Sequence, residues 1–274
     1  MSVNQTTFGG LKDLTDDLKT KNFLVGLWVH PFINKNCEPH FSYARDNDLL
    51  VKSHNGTTDI SWWNGGQNGA SHGDFTNPEA LSWYRRRLEA IQSTYGVDAF
   101  KFDGGETNWF PDDPKLTGDS NLSPSLITRA WVEMASNFGT LSEIRTGWGT
   151  QYLPQIVRMI DLDSLWGAND GIRSLIPKLI QLNFNGYVFV LPDMIGGNQY
   201  SEDMSKELFI RWLQASVFMP ALQFSVTPWD FDSETIEIAR NFTKLHEDYA
   251  DLVLERFKLA VSDGHPGNGQ KLID

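Results

Sequence analysis

The stretch Gly96-Val97-Asp98-Ala99-Phe100-Lys101-Phe102-Asp103-Gly104-Gly105-Glu106 is a short apolar run that ends on a carboxylate, two glycines and a second carboxylate. An apolar strand that delivers Asp103 and Glu106 to a glycine-bearing tip suits the C-terminal rim of a parallel α/β barrel, where catalytic groups sit on strand ends and the loops beyond them. If one of these carboxylates is a nucleophile, its partner is expected on another strand end.

The flanking sequence repeats the helix-to-strand pattern. Leu11 to Lys21 alternates apolar and charged residues at helical spacing and leads into the apolar run Phe23 to His30, stopped by Pro31. A polar, Gly- and Asn-rich segment from about residue 34 to 73 exceeds ordinary connections and is read as an excursion over the barrel mouth. Asn77-Pro78-Glu79 opens a helix, with Asn77 as N-cap and Pro78 in the first turn, whose apolar face is Leu81, Tyr84, Leu88 and Ile91.

Further on, residues 124–138 read as helix and 141–145 as strand. Residues 152–159 read as helix or irregular chain before Ile160-Asp161-Leu162-Asp163, which is expected to end a strand in charge. Residues 171–182 read as helix, 187–191 as a buried strand, 202–218 as helix and 233–257 as a final helix. This alternation predicts a parallel α/β fold, a (β/α)8 TIM barrel for which six or seven strands are visible. One domain, residues 1–258, is expected, with 259–274 as a Gly-rich tail.

Composition narrows the function classes. Of 274 residues, 40% are hydrophobic and 21% charged, which describes a globular protein rather than a disordered one. The net charge of −12, spread along the chain, argues against nucleic acid or an anionic membrane as partner. Cys37 is the single cysteine, so no intramolecular disulfide forms, and no Cys or His cluster suggests a metal. No cofactor is called for. No apolar run reaches the ~18 residues of a membrane span, and the N-terminus lacks a signal-peptide pattern. Nothing in the sequence excludes an oligomer.

Two carboxyl groups flanking one bond are what glycoside hydrolysis needs. Asp103 fits a nucleophile or base, and Asp161 or Asp163 fits the second carboxyl group. The alternative for each is a loop cap or an ion pair with Lys101, Arg145 or Arg158.

Several separated motifs, in order, resemble glycoside hydrolase family 31. Phe100-Lys101-Phe102-Asp103-Gly104-Gly105-Glu106 resembles its nucleophile segment, and Gly73-Asp74-Phe75-Thr76-Asn77-Pro78-Glu79-Ala80 its entry into the preceding helix. Arg145, followed by Gly149 and Gln151, resembles the arginine strand that contacts sugar. Asp161-Leu162-Asp163-Ser164-Leu165-Trp166 resembles the acid/base segment, and Leu191-Pro192-Asp193-Met194-Ile195-Gly196-Gly197-Asn198 and residues 211–221 continue the likeness across roughly residues 20 to 256.

The register of that resemblance selects Asp161 as acid/base, with Asp163 and Asp170 as alternatives. After Gln223 the chain reads Phe224-Ser225-Val226-Thr227-Pro228-Trp229, where family α-glucosidases carry an arginine and a histidine. That ending is similar to the α-galactosidase-like branch. The resemblance implies a retaining exo-acting α-glycosidase for oligosaccharides or glycoconjugates, with α-galactosidase ahead of α-glucosidase and of a non-catalytic carbohydrate-binding barrel. It also implies a secretory compartment, a first barrel strand and flanking β-domains that the chain lacks, and a carboxyl separation of ~5 Å.

Asp161 is expected to keep its proton through burial beside Trp166 or the field of Asp103. Arg145 is expected to bind sugar hydroxyls and balance the carboxylates, or to form an ion pair beneath the site. Asp193 is expected to accept from a hydroxyl or to cap its turn, and Glu106 to hold Lys101 or a loop. Trp28, Trp62, Trp63 and Trp229 are candidate sugar-stacking or wall residues, with core packing the alternative for each, and His30 is a candidate pocket residue, with a satisfied structural histidine the leading alternative.

Overall fold

The computed structural model describes residues 3–60, 69–118, 125–201 and 203–263, and the chain divides into two compact units, residues 1–155 and 156–274. In the first unit, helices α1 (Gln5–Phe8) and α2 (Leu11–Thr20) precede strand β1 (Gly26–Val29). The excursion after β1 is not a plain loop. It holds β2 (Phe32–Asn34), α3 (His40–Asp46), β3 (Lys52–Ser53) and β4 (Ala70–His72), with β2 and β4 antiparallel. Ile33, Phe41, Ala44, Leu49, Leu50 and Ala80 give it a small core of its own. These apolar residues are too dispersed among polar ones to register as a periodic pattern.

Helix α4 (Pro78–Tyr95) starts where the sequence places it. Asn77 accepts the Glu79 N–H through its side chain, Pro78 occupies the first turn, and Gly96 ends the helix in the left-handed conformation. The next strand, β5 (Ala99–Phe102), pairs in parallel with β1 on one side. It is followed by β6 (Pro114–Lys115), helix α5 (Ser125–Ala135) and β7 (Glu143–Ile144), which takes the other side of β5 in parallel. As the centre of three parallel strands, β5 buries Ala99, Phe100 and Phe102 on both faces. Lys101 is its polar exception, paired with Glu143 on the neighbouring strand. Trp131 of α5 packs against Phe102 at 5.2 Å and against Phe75 at 5.0 Å between ring centroids, so the strand reaches its tip through a rigid aromatic core.

The second unit contains β8 (Ile156–Arg158), helix α6 (Leu175–Phe184), β9 (Val190–Leu191), helix α7 (Lys206–Ser216) and helix α8 (Ser233–Asp263), with β8 and β9 parallel. Here the expectation for 152–159 is corrected. The strand is Ile156–Arg158, and Asp161 and Asp163 lie on irregular chain beyond it. Its three residues include an arginine, which breaks the apolar run, yet Val157 and Arg158 are both buried. Helix α8 also runs through residue 263, past the expected start of a tail at 259, because Phe257 and Ala260 are buried. Residues 264–274, like the Trp62-Trp63 pair, lie outside the described residues.

The tip of β5 requires its glycines. Gly104 and Gly105 have φ of +68° and +94°, and a Cβ on Gly105 would stand 2.6 Å from Trp131 Cδ1. Gly105→Ala is therefore expected to lose about 1–2 kcal/mol or more from backbone strain and the clash together. Urea denaturation of the variant beside the parent measures it.

Candidate active site

Each unit carries a buried arginine flanked by carboxylates at the end of a parallel strand. In the first, Asp103 follows β5 directly, its N–H donating to Val29 O, and its side chain is 11% exposed. Arg145, just beyond β7, sends Nη1 to Asp103 Oδ1 at 2.9 Å. It sends Nε to Glu106 Oε1 at 2.5 Å and Nη2 to Glu106 Oε2 at 3.1 Å. The guanidinium grips Glu106 in a two-point fork and reaches Asp103 with its remaining arm. The other oxygen of Asp103 accepts from Trp28 Nε1 at 2.8 Å.

The carboxylate is thus fixed from both sides, by a cation on one strand end and an indole on β1. The expected role of Trp28 is enlarged accordingly: it orients Asp103, while its ring remains 49% exposed. Glu106 holds Arg145 rather than Lys101. His30 stands 4.7 Å from the Trp28 ring and lines a cavity of about 280 Å³ with Trp28, Phe32, Tyr84 and Arg87.

His30 Nδ1 accepts the Phe32 N–H at 3.2 Å, which requires that nitrogen to be unprotonated. Burial lowers its pKa to about 4, and the nearby Asp103 carboxylate only partly opposes this. The fully buried His72 is lowered to about 4 for the same leading reason, its Nδ1 2.7 Å from Gly73 O.

In the second unit, Arg158 is 2% exposed and joins Asp161 to Asp193. Its Nη1 donates to Asp161 Oδ1 at 2.7 Å, Asp193 Oδ1 at 3.0 Å and Met159 O at 3.0 Å. Asp193 has no exposed surface, and its Oδ2 accepts from Leu162 N–H at 2.9 Å and Asn198 Nδ2 at 2.7 Å. Against the expectation of a sugar hydroxyl on Asp193, the carboxylate is here enclosed and engaged by the backbone and side chains that shape the loop. Its alternative, a turn-holding aspartate, is what the hydrogen bonds describe.

Asp161 is the accessible member, with its side chain 29% exposed, and its Oδ2 accepts from the Tyr200 hydroxyl at 2.8 Å. Trp166 is 46% exposed, so no burial beside it encloses the carboxyl group. Asp163 is occupied differently. It accepts from the backbone N–H groups of Ser164 and Tyr200 and from the Ser201 hydroxyl, and these bonds, the Ser201 hydroxyl foremost, lower its pKa. Asp170 is 66% exposed and faces Lys178 at 3.4 Å. Neither shares the arginine that serves Asp161. Trp229, 71% exposed on the turn Pro228–Asp230, is not a member of this network.

Sequence reasoning named Arg158 only as an ion-pair partner of these aspartates and missed the contact of Tyr200 with Asp161. Arg158 carries one local signal, its place three residues before Asp161. Tyr200 carries none, because its contact spans 39 residues. Among the described residues no group of three or more His, Cys, Asp or Glu is arranged to hold a metal ion, and no helix is long and apolar enough to cross a membrane.

The chain belongs to glycosyl hydrolases family 31, matching its TIM-barrel domain over residues 1–253, which is the barrel fold expected from the sequence. It is 38% identical over 277 residues to the mouse (Mus musculus) myogenesis-regulating glycosidase, covering 97% of this chain and 38% of that protein. It is 27% identical over 274 residues to alpha-xylosidase XylQ of Lactiplantibacillus pentosus, covering 94% of this chain and 34% of that one. A solved structure of the cycloalternan-degrading enzyme from Trueperella pyogenes, in complex with a covalent intermediate, shares the fold with a TM-score of 0.78 at 20% identity, over 93% of this chain and 38% of that chain. The chain therefore spans roughly a third to two fifths of the length of these relatives.

The two buried histidines make stability pH-dependent. Their folded pKa values of about 4 lie below the ordinary 6.5, so the unfolded chain takes up protons first. The stability they contribute is complete above pH 6.5 and is lost as pH falls toward 4, by about 1.4 kcal/mol per pH unit for each ring. A His72→Phe variant, which keeps a ring among Phe32, Phe75 and Phe110, should lose less stability than the parent between pH 7 and pH 5. Urea midpoints at the two pH values check it.

Proposed function

We propose that this chain is the catalytic barrel of a retaining, exo-acting α-glycosidase, with Asp103 as nucleophile and Asp161 as acid/base, and that its substrate is an α-galactoside of an oligosaccharide or glycoconjugate. The observation that carries the reading is the Asp103 carboxylate held between Arg145 and Trp28 at a strand end. A nucleophile must be aimed before substrate arrives, and two donors from different strands aim it. Asp103, Glu106 and Arg145 together leave one net negative charge, which favours the positive charge that develops at an anomeric carbon.

In the first step Asp103 attacks the anomeric carbon and forms an ester, while the proton of Asp161 goes to the departing glycosidic oxygen. In the second, Asp161 takes a proton from water, the water oxygen attacks the anomeric carbon, and the ester bond breaks to restore Asp103. Two inversions give net retention. Arg145 and Arg158 have separate tasks here, each stabilising one of the two reacting carboxyl groups, Asp103 and Asp161, beside a second carboxylate that holds the guanidinium. No cofactor enters the scheme.

The choice of α-galactoside rests on the run Phe224-Ser225-Val226-Thr227-Pro228-Trp229, which departs from the charged pair of family α-glucosidases and leaves a serine and an exposed indole. The relative named as an α-xylosidase and the relative named only as a glycosidase make aryl α-xylosides and α-glucosides the necessary comparisons.

Aryl α-galactoside is expected to be turned over faster than the α-glucoside or α-xyloside, and NMR should show the α-anomer as the first product. Asp161→Asn is expected to lower turnover about 10²–10⁴-fold, and Asp103→Asn to remove the covalent route. Inversion at the anomeric carbon, or full activity in Asp103→Asn, would sink the nucleophile assignment.

A further inference from the structure

The segment after Asn198 meets two aspartates in two ways. Asp163 takes its backbone: Oδ1 accepts Tyr200 N–H at 2.9 Å and Oδ2 accepts the Ser201 hydroxyl. Asp161 takes its side chain, accepting the Tyr200 hydroxyl at 2.8 Å. The loop can make both contacts because Gly197, at φ +88°, lies against the Asp163 backbone, where a Cβ would stand 2.6 Å from the carbonyl carbon. Gln199 adds a second left-handed residue at φ +54°. Asp163 is therefore an anchor, and what it anchors is the phenol that reaches Asp161.

The Tyr200 ring is 66% exposed. A tyrosine retained for packing buries its ring, whereas this one presents its ring to solvent and commits its hydroxyl to a carboxylate. The charged and titratable groups around that carboxylate are Arg158 from β8, Asp193 sharing the same guanidinium nitrogen, Asp163 two residues on, and Tyr200 from the loop. Partial desolvation and the bond to Asp161 raise the phenol well above its ordinary pKa, so it stays protonated and able to donate.

We propose that Tyr200 is a positioning residue that holds Asp161 in its base form and orientation for the second half of the reaction, when water is activated. This rests on the reading of Asp161 as the acid/base. Two donors, Arg158 to one oxygen and Tyr200 to the other, favour the carboxylate over the acid. Exposure of the ring leaves the phenol free to rotate away when Asp161 carries a proton.

The test is Tyr200→Phe, which removes only the hydroxyl. With aryl α-galactosides, the basic limb of the kcat/KM profile depends on Asp161 keeping its proton, so it should move up by about one pH unit, while the acidic limb stays in place. With a dinitrophenyl leaving group, for which the second step limits turnover, kcat and KM should fall together as the ester accumulates. Superimposable profiles and an unchanged kcat would overturn the proposal.

A readout independent of turnover is the carboxyl ¹³C titration of Asp161, assigned by its loss in Asp161→Asn. Its midpoint should rise in Tyr200→Phe, and an unmoved midpoint also overturns the proposal. A raised midpoint in a protein that hydrolyses no aryl α-glycoside would instead remove the glycosidase reading and leave the Tyr200–Asp161 coupling standing.

Discussion

The bond on which the geometry of the first unit's strand tip depends is the one from Arg145 to Asp103. A carboxylate with 11% of its side chain exposed has lost most of its water, and an isolated charge in that position is costly. The guanidinium answers the charge, but it is itself only 7% exposed and needs further partners. Glu106 supplies two acceptors in the fork geometry that suits arginine. The positive-φ glycines between Asp103 and Glu106 let the chain turn at once, so that both carboxylates address one cation. The aromatic packing of Trp131 against Gly105 and Phe102 then fixes where that turn occurs.

The second unit solves the same problem with a different division of labour. Arg158 again sits between two carboxylates, but Asp193 is wholly enclosed and engaged by Leu162 N–H and Asn198, while Asp161 remains partly open. The enclosed partner locks the arginine, and the locked arginine orients the open one. A lone Arg158–Asp161 pair at 29% exposure would be loosely held, as partly solvated ion pairs are. The buried Asp193 makes it rigid at the expense of versatility, since removing either member would strand a charge in the interior.

Much of this was legible in the sequence, for reasons that differ by residue. Asp103 could be found because an apolar strand announces its own end, and Asn77 and Gly96 because capping is local chemistry. Arg145 could be named, but its use of Glu106 could not, because 39 residues separate them. The strand Ile156–Arg158 was hidden by its buried arginine, a residue that pattern reading assigns to the surface. Trp28 and Tyr200 were opaque for a related reason. Trp28 read as a stacking platform and Tyr200 drew no reading at all, whereas both use their polar atom to hold a carboxylate. The two-residue spacing of Asp161 and Asp163 offered no choice between them, and only the register of the family resemblance selected Asp161.

The hydrogen bonds set the two apart. Asp163 accepts from the Tyr200 N–H, the Ser201 N–H and the Ser201 hydroxyl, which hold the 200–201 segment in place, so protonating it would weaken the loop's anchor. A residue that must gain and lose a proton in each cycle cannot also be the peg on which a neighbouring loop hangs. Asp161 has donors whose loss would not dismantle the chain: an arginine already fixed by Asp193 and a phenol on an exposed ring. The separation of duties across these two carboxylates, one pinned to a loop and one held by an arginine and a phenol, is the physical argument that supports the proposed acid/base at Asp161.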